Sequence, residues 1–107
     1  LGELPVTMNP YLKDTAPNFW LSCMTVNEGC SVNPFSVMEK LAEHNVEARP
    51  LWKPMHMQPV FKDCGFVTAC GNPVDEDLFK RGLCLPSDIK MTAEEQDYVI
   101  SIIKSCF

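Results

Sequence analysis

The chain has 107 residues, 46% of them hydrophobic and 21% charged, with a formal net charge of -5. That length fits one domain and leaves no room for two. The acidic balance and the scattered basic residues argue against a nucleic-acid partner, whose binding depends on neutralising phosphates with Lys and Arg.

Leu1 to Asn18 contains Pro5, Pro10 and Pro17 and no sustained periodicity, so residues 1–18 read as an irregular lead-in that needs a neighbour to pack on. The chain starts at Leu1 rather than at an initiator Met, which fits a fragment boundary or proteolytic processing. Residues 19–107 read as the domain proper. Phe19 to Val26 has strand length and composition. Alternation puts Trp20, Ser22, Met24 and Val26 on one face and Phe19, Leu21, Cys23 and Thr25 on the other. Both faces carry large apolar groups, as in a central strand covered on both sides.

After a turn over Asn27 to Val32, Asn33-Pro34 opens a helix. Asn is a favoured N-cap, and Pro suits the first helical position because its missing N–H would be unpaired there. Phe35, Met38 and Leu41 form the expected core stripe, and the helix is expected to stop near His44-Asn45. Val46 to Arg49 reads as a short strand ended by Pro50. Leu51 to Asn72 has no helical or strand period but is rich in apolar residues, and such long loops are often functional. Asn72-Pro73 repeats the cap-then-proline signal, with Asp75, Glu76 and Asp77 complementing the dipole of the following helix. Val74, Leu78 and Phe79 are its expected buried stripe, and Gly82 its end. Leu83 to Leu85 reads as a strand stopped by Pro86. Thr92 and Glu95 match a capping box, and Val99, Ile102, Ile103 and Cys106 form the stripe of a final helix. The fold class expected from this order is α/β (α+β): a small antiparallel or mixed sheet of about three strands with helices packed against it.

The six cysteines lack close CxxC spacing, and the sequence shows no charged start followed by an apolar core, so most are expected to be reduced, buried thiols. A disulfide-stapled secreted domain is the opposite reading, and it predicts no free thiols. No apolar run approaches the roughly 20 residues of a membrane span, and the expected location is cytoplasmic. Asp75-Glu76-Asp77 is read as a solvated helix start, with no metal site. No nucleophile–base pair, P-loop or dinucleotide fingerprint is present, and no catalytic residue is assigned.

His44 reads as a surface residue at a helix end. The remaining chemistry concentrates between Arg49 and Pro59, where Pro50, Pro54 and Pro59 stiffen a run carrying Arg49, Trp52, Lys53, Met55, His56 and Gln58. A bidentate donor, an aromatic plane and an imidazole on a stiff loop suit a ligand wall. Residue types alone leave an equal alternative, in which Trp52 and Met55 plug a core and the polar groups face water.

The run RPLWKPMHMQPVF, Arg49 to Phe61, resembles a stretch near the C-terminus of DegT/DnrJ/StrS-type pyridoxal-phosphate aminotransferases. NFWLSCMTV (Asn18 to Val26), DEDLFKRGLCLPS (Asp75 to Ser87) and MTAEEQDYVISIIKSCF (Met91 to Phe107) resemble further segments of that family in the same order. The resemblance implies the C-terminal small domain of a fold type I aminotransferase, packed on an N-terminal large domain missing from this chain. The whole enzyme would move an amino group from an amino acid, usually glutamate, to a keto nucleotide sugar, working as a homodimer. The cofactor implied is pyridoxal phosphate. Its Schiff-base lysine belongs to the large domain, since no lysine here lies in a matching context. The resemblance implies hydrogen-bonding roles for Arg49 and His56 toward sugar, diphosphate or the amino donor's carboxylate, with Trp52 and Met55 shaping the wall; a structural salt bridge is the alternative for Arg49. The isolated chain is expected to be inactive. A stand-alone interaction module that kept the fold and lost the chemistry is the alternative.

Overall fold

A computed structural model describes residues 1–69 and 71–107. Strand β1 is Val6–Met8, β2 is Ser22–Val26, β3 is Arg49–Pro50 and β4 is Gly82–Leu85. Helix α1 is Pro34–Glu43, α2 is Val74–Arg81 and α3 is Ala93–Lys104. The four strands form one antiparallel sheet in the order β1-β2-β4-β3. The α+β expectation therefore holds, with one strand more than expected.

That extra strand, β1, lies inside the stretch expected to be irregular. Three residues are too few for a periodicity to register, and pairing with β2 holds them in place. Asn9 extends the pairing past β1. Its N–H donates to the Cys23 carbonyl at 2.7 Å, and its Oδ1 accepts from the Cys23 N–H at 2.8 Å. This needs a left-handed backbone, φ 44°, which Asn tolerates better than most residues. Leu1, Leu4 and Val6 pack against the core.

Strand β2 is central, as expected, but starts at Ser22 rather than Phe19. Phe19 has φ 50°, which interrupts the extended run and turns Phe19 and Trp20 out to solvent. Met24, Thr25 and Val26 are buried, so the second half of the strand is covered on both faces. β4 is buried along its whole length between β2 and β3. β3 is an edge strand, where Pro50 costs no ladder bond.

Helices α1 and α3 close one face of the sheet. Met24, Val37, Leu41, Leu83 and Ile103 are fully buried there, and each contributes about 1.5–3 kcal/mol relative to exposure. The core stripe of α1 is Val37 and Leu41. Phe35, expected to face the core, is exposed, because Pro34 takes the inward position of the first turn. The start of α1 is as read, with Asn33 Oδ1 accepting from Phe35 N–H at 2.9 Å. It ends at His44 in a Schellman arrangement, in which Asn45 at φ 58° lets Val46 N–H reach the Leu41 carbonyl at 3.0 Å. The capping box of α3 is present in both directions.

Helix α2 departs from expectation at its start, while Gly82 ends it as expected. Asn72 does not cap it: Pro73 occupies the N-cap position and offers no side-chain bond. Val74, expected to be buried, is exposed, and no residue of the helix is fully buried. Gly82 ends α2 in extended geometry, φ -113°, rather than as a left-handed cap. Its need for glycine is close approach. A Cβ there would lie 2.7 Å from the Leu78 carbonyl oxygen and inside contact distance of the Leu51 side chain. Between β3 and α2 the chain makes two short 3-10 turns, Met55–Met57 and Pro59–Phe61. Among the described residues, no helix is long and apolar enough to cross a membrane.

Candidate functional site

The sheet face opposite α1 and α3 is only partly covered. Trp20, turned out by Phe19, meets Trp52, which follows β3; their rings lie 6.3 Å apart and tilted by 41°. Both are exposed, at 72% and 65%. The pair makes a ridge between two grooves. One, of about 410 Å³, runs along β3 and the end of β4 and is lined by Glu47, Arg49, Pro50 and Cys84. The other, of about 450 Å³, lies between the segment after β1 and α2, with Tyr11, Phe19, Leu78 and Phe79 in its walls. Leu21 borders both. Tyr11 packs edge-on against Phe19 at 5.7 Å.

Arg49 and Trp52, two of the residues singled out from the sequence, meet in the first groove. Arg49 is on the edge strand with an exposed guanidinium. Its Nε donates to Glu47 Oε1 at 2.8 Å, and its Nη2 lies 2.7 Å from the same oxygen. Such an exposed pair holds the guanidinium weakly and contributes at most about 1 kcal/mol to stability. The Arg49 head is therefore available to a charged ligand.

Met55 and His56 line neither groove. Met55 is exposed, with its Sδ 3.5 Å from Gln58 Nε2. His56 is mostly buried and occupied on several sides. Its Nε2 lies 2.9 Å from Glu76 Oε1, its Nδ1 lies 3.6 Å from Asp75 Oδ2, and its ring stacks on Phe66 at 3.7 Å. In this arrangement it latches the loop to the first turn of α2. The hydrogen bond from His56, helped by Lys80, holds the Glu76 carboxyl below its ordinary range. Asp77 is also held low, by Arg81, which donates Nε to Asp77 Oδ1 at 2.8 Å and Nη1 to the Val26 carbonyl at 2.7 Å. The three carboxylates at the start of α2 thus serve two brackets, one to the loop and one to β2. Among the described residues, no group of three or more His, Cys, Asp and Glu side chains is placed to hold a metal ion. His44, at the end of α1, is exposed, with Nδ1 3.0 Å from the Tyr98 hydroxyl.

Trp20 was missed as a groove residue because strand alternation assigned it to a covered face. Asn18, two residues earlier, is a usable signal: its Oδ1 accepts from Trp20 N–H at 3.1 Å, a local turn that breaks a strand. The grooves do not fit the anchoring of pyridoxal phosphate. Neither wall contains a lysine. The helix start nearest them, that of α2, presents Asp75, Glu76 and Asp77, which repel a phosphate.

The family model for the DegT/DnrJ/EryC1/StrS aminotransferase family matches residues 1–104. EpsN of Bacillus subtilis (strain 168), named for a pyridoxal phosphate-dependent aminotransferase, is 47% identical over 109 aligned positions. They cover all of this chain and 28% of EpsN. GDP-perosamine synthase of Caulobacter vibrioides is 31% identical over 90 positions, which cover 79% of this chain and 22% of the synthase. Among solved structures, a sugar aminotransferase of Streptococcus pneumoniae, Spr1654, superposes with a TM-score of 0.76 at 23% identity, over 95% of this chain and 26% of that one. The chain therefore spans between a fifth and a third of the length of these relatives. With nearly its whole length matched, the chain belongs to the DegT/DnrJ/EryC1/StrS aminotransferase family.

Proposed function

We propose that the chain is the C-terminal small domain of a pyridoxal phosphate-dependent aminotransferase that passes an amino group from an amino acid, glutamate in the first instance, to a keto nucleotide sugar. The observation that carries this reading is the open sheet face. Two exposed tryptophans and a loosely held arginine border grooves on the one side of the sheet that α1 and α3 leave uncovered. The relatives are much longer than this chain, and a large domain in that additional length would cover the face. When bound, pyridoxal phosphate supplies the electron sink for amino transfer. The residues here would bind and orient the sugar nucleotide. Arg49 would take a charged group of the substrate, and Trp52 with Trp20 would offer flat apolar surface to sugar or base. Met55, which lines neither groove, would flank the wall from the loop after Trp52. His56 would reach substrate by exchanging a carboxylate partner on α2, or support the wall through that latch.

In this reading the anchoring lysine lies in the large domain, the working enzyme is a cytoplasmic homodimer, and the chain alone is inactive. The test is a spectrum and an assay. The purified chain mixed with pyridoxal phosphate and reduced with borohydride is expected to carry no stoichiometric label and to show no aminotransfer. The longer polypeptide is expected to take up the label and to catalyse aminotransfer. Stoichiometric labelling of one lysine in the chain alone would overturn the assignment.

A further inference from the structure

The partly uncovered face holds a second feature, which the aminotransferase reading does not use. Cys23 on β2 and Cys84 on β4 are directly opposed in the antiparallel register. The Cys23 N–H and carbonyl are both taken by Asn9, on the β1 side. Cys23 and Cys84 are therefore a non-hydrogen-bonded pair across β2 and β4. At such positions the Cα atoms approach to about 4.5 Å, within the roughly 4.4–6.8 Å that a disulfide spans. Their Sγ atoms lie 3.9 Å apart on the same face. Cys23 borders one groove and Cys84 the other, so the pair sits on the floor beneath the Trp20–Trp52 ridge.

We propose that Cys23 and Cys84 form a dithiol modification site, which a small-molecule disulfide such as oxidised glutathione converts into a cross-strand disulfide. The Cys23 thiolate, on the more accessible residue, attacks one sulfur of the oxidant. A mixed disulfide forms and one glutathione thiolate leaves. Cys84 then gives up its proton and attacks the Cys23 sulfur, expelling the second glutathione. Two protein thiols lose two electrons, the oxidant's S–S bond is reduced to two thiols, and the two protons end on them. Burial, with the neighbouring Cys23, pushes the Cys84 thiol up to about 11. Closure is therefore slow near neutrality and accelerates roughly tenfold per pH unit below that value.

The test treats the full folded chain with oxidised glutathione at pH 8.5, blocks the remaining thiols, and maps tryptic peptides without reduction. The expected product links Asp14–Lys40 to Gly82–Lys90, with two thiols lost and no glutathione retained. Because Asp14–Lys40 also contains Cys30, the map is repeated with Cys30→Ser, which is expected to keep the link, and with Cys23→Ser, which is expected to abolish it. Circular dichroism verifies that each variant is folded, and the wild-type map stands without them. A glutathione adduct that persists on Cys23 with no linked peptide, or a link that forms only in denaturant, would overturn the proposal.

Discussion

The two faces of the sheet are built on different principles. The face under α1 and α3 is closed by helices whose ends are set by local chemistry and whose stripes meet at Met24, Leu41, Leu83 and Ile103. The opposite face carries a ridge of exposed tryptophans, an edge-strand arginine, a thiol pair and an irregular loop held by one histidine. The first face supplies folding energy, and the second is the one proposed to meet substrate. A change on the first should cost stability and leave ligand recognition alone. A change on the second should do the reverse.

The largest expected effect is on the closed face. Leu41→Ala removes a fully buried side chain and is expected to cost about 2–5 kcal/mol in denaturant unfolding. A cost under 1 kcal/mol would mean that the core lies elsewhere. Gly82→Ala tests the junction between the faces, because the new methyl meets the Leu78 carbonyl and the Leu51 side chain. It is expected to cost about 1–3 kcal/mol by overpacking, read as a drop in melting temperature. Thr92→Ala removes one half of the α3 capping box and is expected to cost about 1 kcal/mol.

The smallest effect concerns acid. Glu76 and Asp77 are both held below their ordinary ranges in the folded chain. A depressed carboxyl stabilises the fold above its unfolded value, near pH 4, and that contribution fades as pH falls further. Melting temperature is expected to decline below about pH 4, and less steeply in His56→Ala, which removes the main cause of the Glu76 shift. Identical acid limbs would mean that the latch does not couple to folding.

The closed face was the more legible in the sequence. Asn33-Pro34, His44-Asn45 and Thr92 with Glu95 act over a few residues, and each lies where read. Of the expected α1 stripe, Leu41 is fully buried and Met38 half-buried, but Phe35 lies outside because Pro34 itself is buried. β1 escaped notice because its order comes from β2, not from its own three residues. On the open face, composition and resemblance pointed to Arg49 and Trp52. The Glu76 partner of His56 lies 20 residues away, and Cys23 and Cys84 are 61 apart, so no spacing rule could join them. The described cysteines are free, but against the expectation of buried thiols Cys84 alone of them is buried and Cys64 is exposed; Cys70 lies outside the described residues.

The division of labour is tested most directly by Arg49→Ala in the longer enzyme, assayed separately for the keto nucleotide sugar and for the amino donor. Losing a charge-assisted contact worth about 1.5–3 kcal/mol is expected to lower kcat/KM for the sugar nucleotide roughly 10- to 150-fold. The donor value and the melting temperature should stay near wild type, because the Glu47 pair that is broken is exposed. Unchanged kinetics for the sugar nucleotide, or a loss that tracks a fall in stability, would contradict the assignment of this face to substrate.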